Sequence, residues 1–277
     1  MSMISGAING SLKDLSKASK TATKLSKQLI TGKKVQTPSD NPAAWLQAGR
    51  AQSTAGYLDA IHSGLNELAT NIQVADTTMQ AIGQDLDTMQ GQLEEAQKQP
   101  AGNPIREQLI ANFNSTRQQI DDLVNTTSQP GARNLMMDPA KNVQAGNIQA
   151  LVSLNGQTMI VHAQQVDTGK NGLNVSDVPV DATDAQLQSA LNNLTAAQQT
   201  LAAKRNGLAQ DSGDVSRYLA QGTQISGLYQ SQVEALTGAD PTTAAVELQS
   251  VSVQQSLTMQ TLGSLSTDRN AVLELLK

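Results

Sequence analysis

The sequence lacks cysteine entirely and has very few aromatic residues. Without cysteine the chain can form neither disulfides nor thiolate metal sites, and it has no cysteine nucleophile. Aromatic residues make up 2% of the 277 residues, so the large rings that usually fill the centre of a globular domain are scarce. The apolar 38% is therefore mainly aliphatic, which suits a thin core between long paired helices better than a deep enzyme pocket.

Long hydrophobic runs and a strong excess of one charge are also missing. No apolar segment approaches the roughly 18 residues that cross a bilayer, and a net charge of -5 argues against a broad nucleic-acid surface. The first residues include Lys13 and Lys17 but lack the apolar core and cleavage site of a secretory signal peptide. We therefore expect neither a membrane nor a nucleic-acid partner, and any export must use a route without a cleaved signal peptide.

The residue types that carry catalysis are present only in unpromising arrangements. His62 and His162 have no carboxylate cluster at ligand spacing, and adjacent carboxylates such as Glu94 and Glu95 do not face each other on a helix. The sequence has no glycine-rich phosphate loop and no zinc-protease motif. We predict a protein that is not an enzyme and has no catalytic residue, metal site or cofactor.

The N-terminal segment, residues 3–31, has the spacing of an amphipathic helix. Its apolar residues fall on one face: Ile8, Leu12, Leu15, Ala22, Leu25 and Leu29. A separate basic face repeats at intervals of four and three residues: Lys13, Lys17, Lys20, Lys24 and Lys27. Such a helix can bind a membrane surface, but a solvated or partner-facing edge of a bundle is the better interpretation, because serines dilute the apolar face.

The strongest periodicity follows a break between Thr37 and Pro42. Apolar residues then alternate at intervals of three and four without a miss from Leu58 to Ala96, which predicts a long helix that winds left-handedly around its partners. We predict that the core of this rod consists of Leu58, Ile61, Leu65, Leu68, Ile72, Met79, Ile82, Leu86, Met89 and Leu93.

The rest of the chain alternates helices with one β region. Residues 105–127 have helical spacing, and proline and glycine interrupt residues 128–182, where segments 148–154 and 158–163 flank an Asn155-Gly156 hairpin turn. Two further helices begin at capping residues Thr183 and Asp240. We predict a mainly α fold in which both chain ends form a long antiparallel helical rod or coiled-coil bundle, with a small β-hairpin in the middle.

The order of these segments resembles bacterial flagellin, in a short form without large outer domains. The residues that carry the resemblance are the segment 29–34, then 39–44, Arg106 to Leu109, Thr126-Thr127 with Gly131 and Asn134-Leu135, Gly172 to Val175, and the C-terminal 272–276. Gln129-Pro130 stands where the family has Phe-Asn. The segment 37–42 also resembles the related hook–filament junction protein, which stays open as an alternative, as does a helical-bundle signalling or effector protein.

The resemblance implies a secreted subunit that polymerises with itself into the filament used for swimming. It divides the chain into an inner-tube helix (1–43), rod helices with a hairpin tip (44–182), a C-terminal rod helix (183–237) and a second inner-tube helix (238–277). The expected partners are further copies of the chain, an export chaperone, hook-associated proteins and the filament cap. The expected polymerisation residues are Leu12, Leu15, Leu25, Leu29, Leu248, Val251, Leu262, Leu265, Val272 and Leu276.

The resemblance also implies a receptor. Many flagellins are bound by a vertebrate innate receptor through an Arg and a Leu on the first rod helix and a Glu on the next. Thr88, Gln92 and Asn112 align with these three positions, so we expect weak activation of that receptor.

Overall fold

The computed structural model describes residues 2–126, 134–137 and 146–275, and it is mainly helical, as predicted. The elements in chain order are α1 (Ser2–Thr31), α2 (Pro42–Gln97), α3 (Pro104–Thr126), β1 (Ile148–Leu151), β2 (Thr158–Val161), α4 (Asp184–Thr237) and α5 (Pro241–Leu275). Helix α2 has 56 residues, so it is about 84 Å long at 1.5 Å per residue. Parts of the resemblance, including Thr127 and Gly131, lie outside the described residues.

The chain forms two compact units. The terminal unit consists of Met1–Ala55 and Gly227–Lys277, and the rod unit consists of Gly56–Ser226. Helices α2 and α4 each contribute to both units. The four-part division expected from the resemblance stays a prediction.

All ten side chains that the sequence predicts for the rod core are buried in the rod unit. Helix α4 supplies a matching series at every seventh residue, and these residues are also buried: Leu187, Leu194, Leu201, Leu208 and Val215. Direct contacts join the two helices, because Arg205 Nε lies 2.9 Å from Asp76 Oδ1 and Gly83 faces the Leu201 side chain. The core is thus a seam of aliphatic residues between helices.

Two charged residues of α4 lie at the edge of this seam, where the segment after β2 covers the helix. Burial lowers the pKa of Lys204, and the nearby Asp167 carboxylate partly offsets the shift. Burial likewise raises the pKa of Asp211, while the charge of His162 lowers it. Lys204 and Asp211 therefore interact electrostatically with Asp167 and His162 of the segment after β2.

The four helices after α1 begin at capping residues, and the sequence predicts two of them, Thr183 and Asp240. Each side-chain oxygen accepts a hydrogen bond from a backbone N–H of the first turn, which would otherwise lack a partner. The capping oxygens belong to Asn41, Asn103, Thr183 and Asp240. Gln186 completes a capping box, because its Oε1 accepts from Thr183 N at 2.8 Å.

The β-hairpin is shorter than predicted. Its antiparallel register pairs Ile148 with Val161 and Leu151 with Thr158, so the strands do not extend to 154 and 163. The turn begins at Val152, whose N–H donates to Gln157 O at 2.9 Å, and Gly156 has a φ of 80°. A positive φ suits glycine because it has no Cβ, which explains why the Asn-Gly signal placed the turn correctly.

Arg106 joins three segments of the rod unit. Its Nη1 donates to Gln99 O at 2.9 Å and to Asp184 Oδ1 at 2.7 Å, and its Nη2 donates to Ala182 O at 2.7 Å. The Arg106 side chain is almost fully buried, so these bonds replace the water that a guanidinium would otherwise bind. The start of α3 is thereby held against the end of α2 and the start of α4.

We predict that Leu65→Asp destabilises the rod unit by several kcal/mol, because it places a carboxylate in the aliphatic seam without a partner. Leu154→Asp is the matched control, since this leucine is 44% exposed at the hairpin turn and should lose less than about 1 kcal/mol. Chemical denaturation followed by circular dichroism measures both. Equal losses would contradict the seam as the source of stability.

Candidate functional site: the terminal helix pair

Helices α1 and α5 pack along each other in the terminal unit. The end of α1 meets the start of α5, because Ala239 N donates to Gly32 O at 2.9 Å and Lys34 N donates to Thr237 O at 2.7 Å. Gly32 has a φ of 66°, a left-handed conformation that ends the helix cheaply only at glycine. The two helices therefore run antiparallel from a shared junction.

The contact between α1 and α5 is a seam with intervals of three and four residues on both sides. Its members are buried or half-buried: Ile8, Ser11, Leu15, Ala18, Ala22, Leu25 and Leu29 on α1, and Ala244, Leu248, Val251, Gln255, Thr258, Leu262 and Leu265 on α5. Several of these residues are small or polar, so the seam buries less apolar surface than the rod core. The isolated pair is accordingly weak.

The residues expected to drive polymerisation fall mostly in this seam. Leu25 is buried, and Leu15, Leu29, Leu248, Val251, Leu262 and Leu265 are half-buried. Leu12 is half exposed on the flank of the seam. The side chain of Val272 and all of Leu276 lie outside the described residues. Seven of the ten residues therefore lie where α1 and α5 meet inside one chain.

A second apolar face of α5 remains exposed. Val246, Val253 and Leu257 are 64%, 55% and 58% exposed, and their spacing places them on one face, nearly opposite the seam. We call these three residues the outer stripe. The sequence analysis missed them, although α5 carries apolar residues on two faces, a pattern typical of a helix that is covered from both sides.

The lysines of α1 also face away from the seam. Lys13, Lys17, Lys20, Lys24 and Lys27, called the lysine stripe below, are all exposed and lie about half a helical turn from the seam residues. Among the described residues, the lysine stripe forms one ion pair, which joins Lys24 to Asp40 at 3.9 Å. The helix pair thus has one outward basic face and one outward apolar face.

Two aspartates fix the chain at the ends of the helix pair. Backbone N–H groups of Gln36 and Thr37 donate to Asp40 at 3.1 and 3.0 Å, and these bonds, led by Gln36, lower the pKa of Asp40. The hydroxyl of Thr243 donates to Asp240 at 2.6 Å and lowers the pKa of that carboxyl most strongly. Both carboxylates stay ionised at neutral pH and hold the turns that lead into α2 and α5.

The described residues contain no group of three or more His, Asp or Glu side chains able to hold a metal ion. Among the helices of residues 2–126 and 184–275, none combines the length and apolar character needed to cross a bilayer. The exposed faces of the helix pair are suited to binding another protein surface.

The sequence of this chain is similar to those of bacterial flagellins. Residues 7–136 match the bacterial flagellin N-terminal helical region. Two Caulobacter vibrioides flagellins, FljM and FljO, are each 23% identical over 268 residues, which is 96% of this chain and 94% of theirs. These matches confirm the resemblance to flagellin.

Two solved structures are similar in fold. Bacillus cereus flagellin has a TM-score of 0.50 and 15% identity, covering 58% of this chain and 88% of its own. A putative flagellar hook-associated protein from Vibrio parahaemolyticus has a TM-score of 0.60 and 13% identity, covering 72% of this chain and 100% of its own.

We predict that Gly238→Ala destabilises the terminal unit by about 1–3 kcal/mol, because the added Cβ would lie 2.5 Å from the backbone oxygen of Glu234 and the backbone must shift. Gly263→Ala, in the same unit, meets nothing within 4 Å and should be neutral or stabilising by up to about 1 kcal/mol. Hydrogen exchange of α1 and α5 amides measures both. Reduced protection in both variants would argue against the junction as the cause.

Proposed function

We propose that this chain, a homologue of bacterial flagellins over almost its whole length, is a structural subunit that polymerises into the flagellar filament for swimming motility. The observation that supports self-association best is the outer stripe of α5, an exposed apolar face on a helix whose other face is already covered by α1. A helix with two apolar faces and one partner in its own chain is completed by a second copy.

The outer stripe can supply a useful share of the assembly energy. Fully burying a Val or Leu side chain stabilises by about 1.5–3 kcal/mol, and the three residues are more than half exposed in the single chain. Each copy also loses translational and rotational freedom when it joins, so one stripe alone gives a weak contact. A polymer repeats the contact for every subunit and adds the half-exposed Leu12 of α1.

Homology to flagellins supports a wider role for the chain. It supports self-assembly in the flagellum outside the cell, next to hook-associated proteins. We also propose export without a cleaved signal peptide, an export chaperone and a filament cap as partners, and a purely structural role without catalysis.

A hook–filament junction protein is the second candidate, because the hook-associated protein from Vibrio parahaemolyticus shares the fold. A filament subunit forms long polymers by itself at high concentration, whereas a junction protein does not. Electron microscopy of the purified chain after seeding with short filament fragments decides between them.

We predict that Val253→Asp raises the critical concentration for assembly by about tenfold or more, since a carboxylate buried in the apolar contact costs more than 1.4 kcal/mol. Ser256→Asp is the matched control, because Ser256 is exposed on the same helix but lies off the outer stripe. Sedimentation of polymer measures the critical concentration, and circular dichroism checks that both variants keep their helices.

Two outcomes would count against this assignment. Normal assembly of the Val253→Asp variant would remove the outer stripe from the interface. Equal defects in the two variants would mean that α5 tolerates no added charge anywhere, and the stripe would then have no special role.

The three positions aligned with receptor contacts are in the rod unit. Thr88 and Asn112 are exposed, and Gln92 is half-buried with its Oε1 enclosed and unbonded among the described residues. Asn112 accepts a hydrogen bond from Gln108 at 2.9 Å. None of the three offers the charge-assisted hydrogen bonds of an Arg or Glu.

We propose that the chain activates the vertebrate innate receptor only weakly. Restoring the family residues with Thr88→Arg, Gln92→Leu and Asn112→Glu should strengthen the response, because truncating such an anchor often costs about 2 kcal/mol. A receptor reporter assay with purified monomer measures the response, and Lys170→Arg serves as a surface control. Full potency of the unmodified chain would overturn the proposal.

A further inference from the structure

The lysine stripe concentrates positive charge on one face of α1, and the apolar contact proposed for the outer stripe gives it no role. Five lysines repeat at intervals of four and three residues, so each lies next to another along the face of α1. Like charges at these spacings destabilise a helix. Among the described residues, the stripe forms one ion pair, between Lys24 and Asp40 at 3.9 Å. The repulsion between its lysines is therefore little reduced.

Unused carboxylates lie in the same unit, beside the C-terminal end of α1. Glu234 of α4 and Glu247 of α5 are both exposed, and neither forms an ion pair with any described residue. They line a cleft of about 820 Å³ beside the junction of α1, α4 and α5. Lys34 also lines it, but its Nζ donates to Ala235 O at 3.2 Å.

The shapes of the two surfaces are compatible. The cleft is also lined by the small residues Ala235, Gly238 and Ala239, which allow a second helix to approach closely. On one flank of the lysine stripe, α1 carries Ser16 and Thr23, which are also small and exposed. A helix face with small residues and flexible basic side chains can therefore enter the cleft and place ammonium groups beside carboxylates.

We propose that the lysine stripe of one subunit docks on the cleft of a second copy, with its lysines paired to Glu234 and Glu247. This inference rests on the proposed function and adds an electrostatic contact to the apolar one. Exposed ion pairs contribute modest affinity, but charge complementarity sets orientation and suppresses wrong pairings. Because stripe and cleft are different surfaces, the contact is head-to-tail and can repeat without closing on itself.

The test exchanges charges between the two surfaces. The stripe variant carries Lys17→Glu and Lys20→Glu, the cleft variant carries Glu234→Lys and Glu247→Lys, and Lys170→Glu in the rod unit is the control. Each double variant alone should raise the critical concentration of seeded assembly by about tenfold, because attraction becomes repulsion. The control should assemble like the unmodified chain, and circular dichroism confirms that all variants keep their helices.

Mixing gives the decisive result. In a one-to-one mixture the altered stripe of one variant meets the altered cleft of the other, so two poorly assembling proteins should form a copolymer with most of the lost affinity restored. The chain with all four substitutions should also assemble alone. Failure of both recoveries would overturn the pairing, even if each double variant is defective.

Two further measurements separate the remaining outcomes. If the unmodified chain forms no filament, the proposed function fails. Sedimentation velocity at high concentration still tests the pairing. The pairing requires that the unmodified chain and the mixture associate and that neither double variant associates alone. Cosedimentation with vesicles of phosphatidylglycerol tests a lipid headgroup as the occupant. Vesicle binding that Lys17→Glu and Lys20→Glu abolish, without recovery in the mixture, would overturn docking on a second copy.

Discussion

A narrow apolar stripe on a helix is buried only when another helix lies along it, and every long element of this chain is built under that constraint. In the rod unit the stripe of α2 is covered within the chain, and its residues are almost fully buried. In the terminal unit α5 has two apolar faces, of which α1 covers one. The scarcity of aromatic residues makes both seams thin, and the terminal unit leaves one apolar face of α5 exposed.

The seams and the polar contacts have separate roles. An unbroken repeat of aliphatic residues stabilises a helix pair but specifies its register poorly, since a shift of one heptad preserves most contacts. Fixed polar contacts remove that freedom. Arg106 binds three backbone or side-chain oxygens from different segments, and Arg117 Nη1 donates to Thr168 at 2.7 Å, while Asp121 accepts from Thr168 N at 2.8 Å. Such contacts have geometry that a shifted register cannot reproduce.

Local signals in the sequence predicted much of this fold, because they depend on neighbours along the chain. The intervals from Leu58 to Ala96, the cap at Asp240 and the turn at Gly156 are of this kind. The sequence did not separate the two faces of α5, since Leu248 and Val253 are equally apolar and only the position of α1 distinguishes them. The bonds of Arg106 were equally hidden, because Ala182 and Asp184 are more than 70 positions away.

The hairpin has a consequence for how such a chain can grow. Its turn is closed by the bond between Val152 and Gln157, so the two ends of the turn lie side by side. Leu154 and Asn155 between them are exposed and outside both strands. Lengthening a loop adds an entropic cost that rises only slowly with its length, and exposed turns tolerate inserted domains best. The turn is therefore a site at which evolution or engineering can insert a folded module and leave the long helices unchanged.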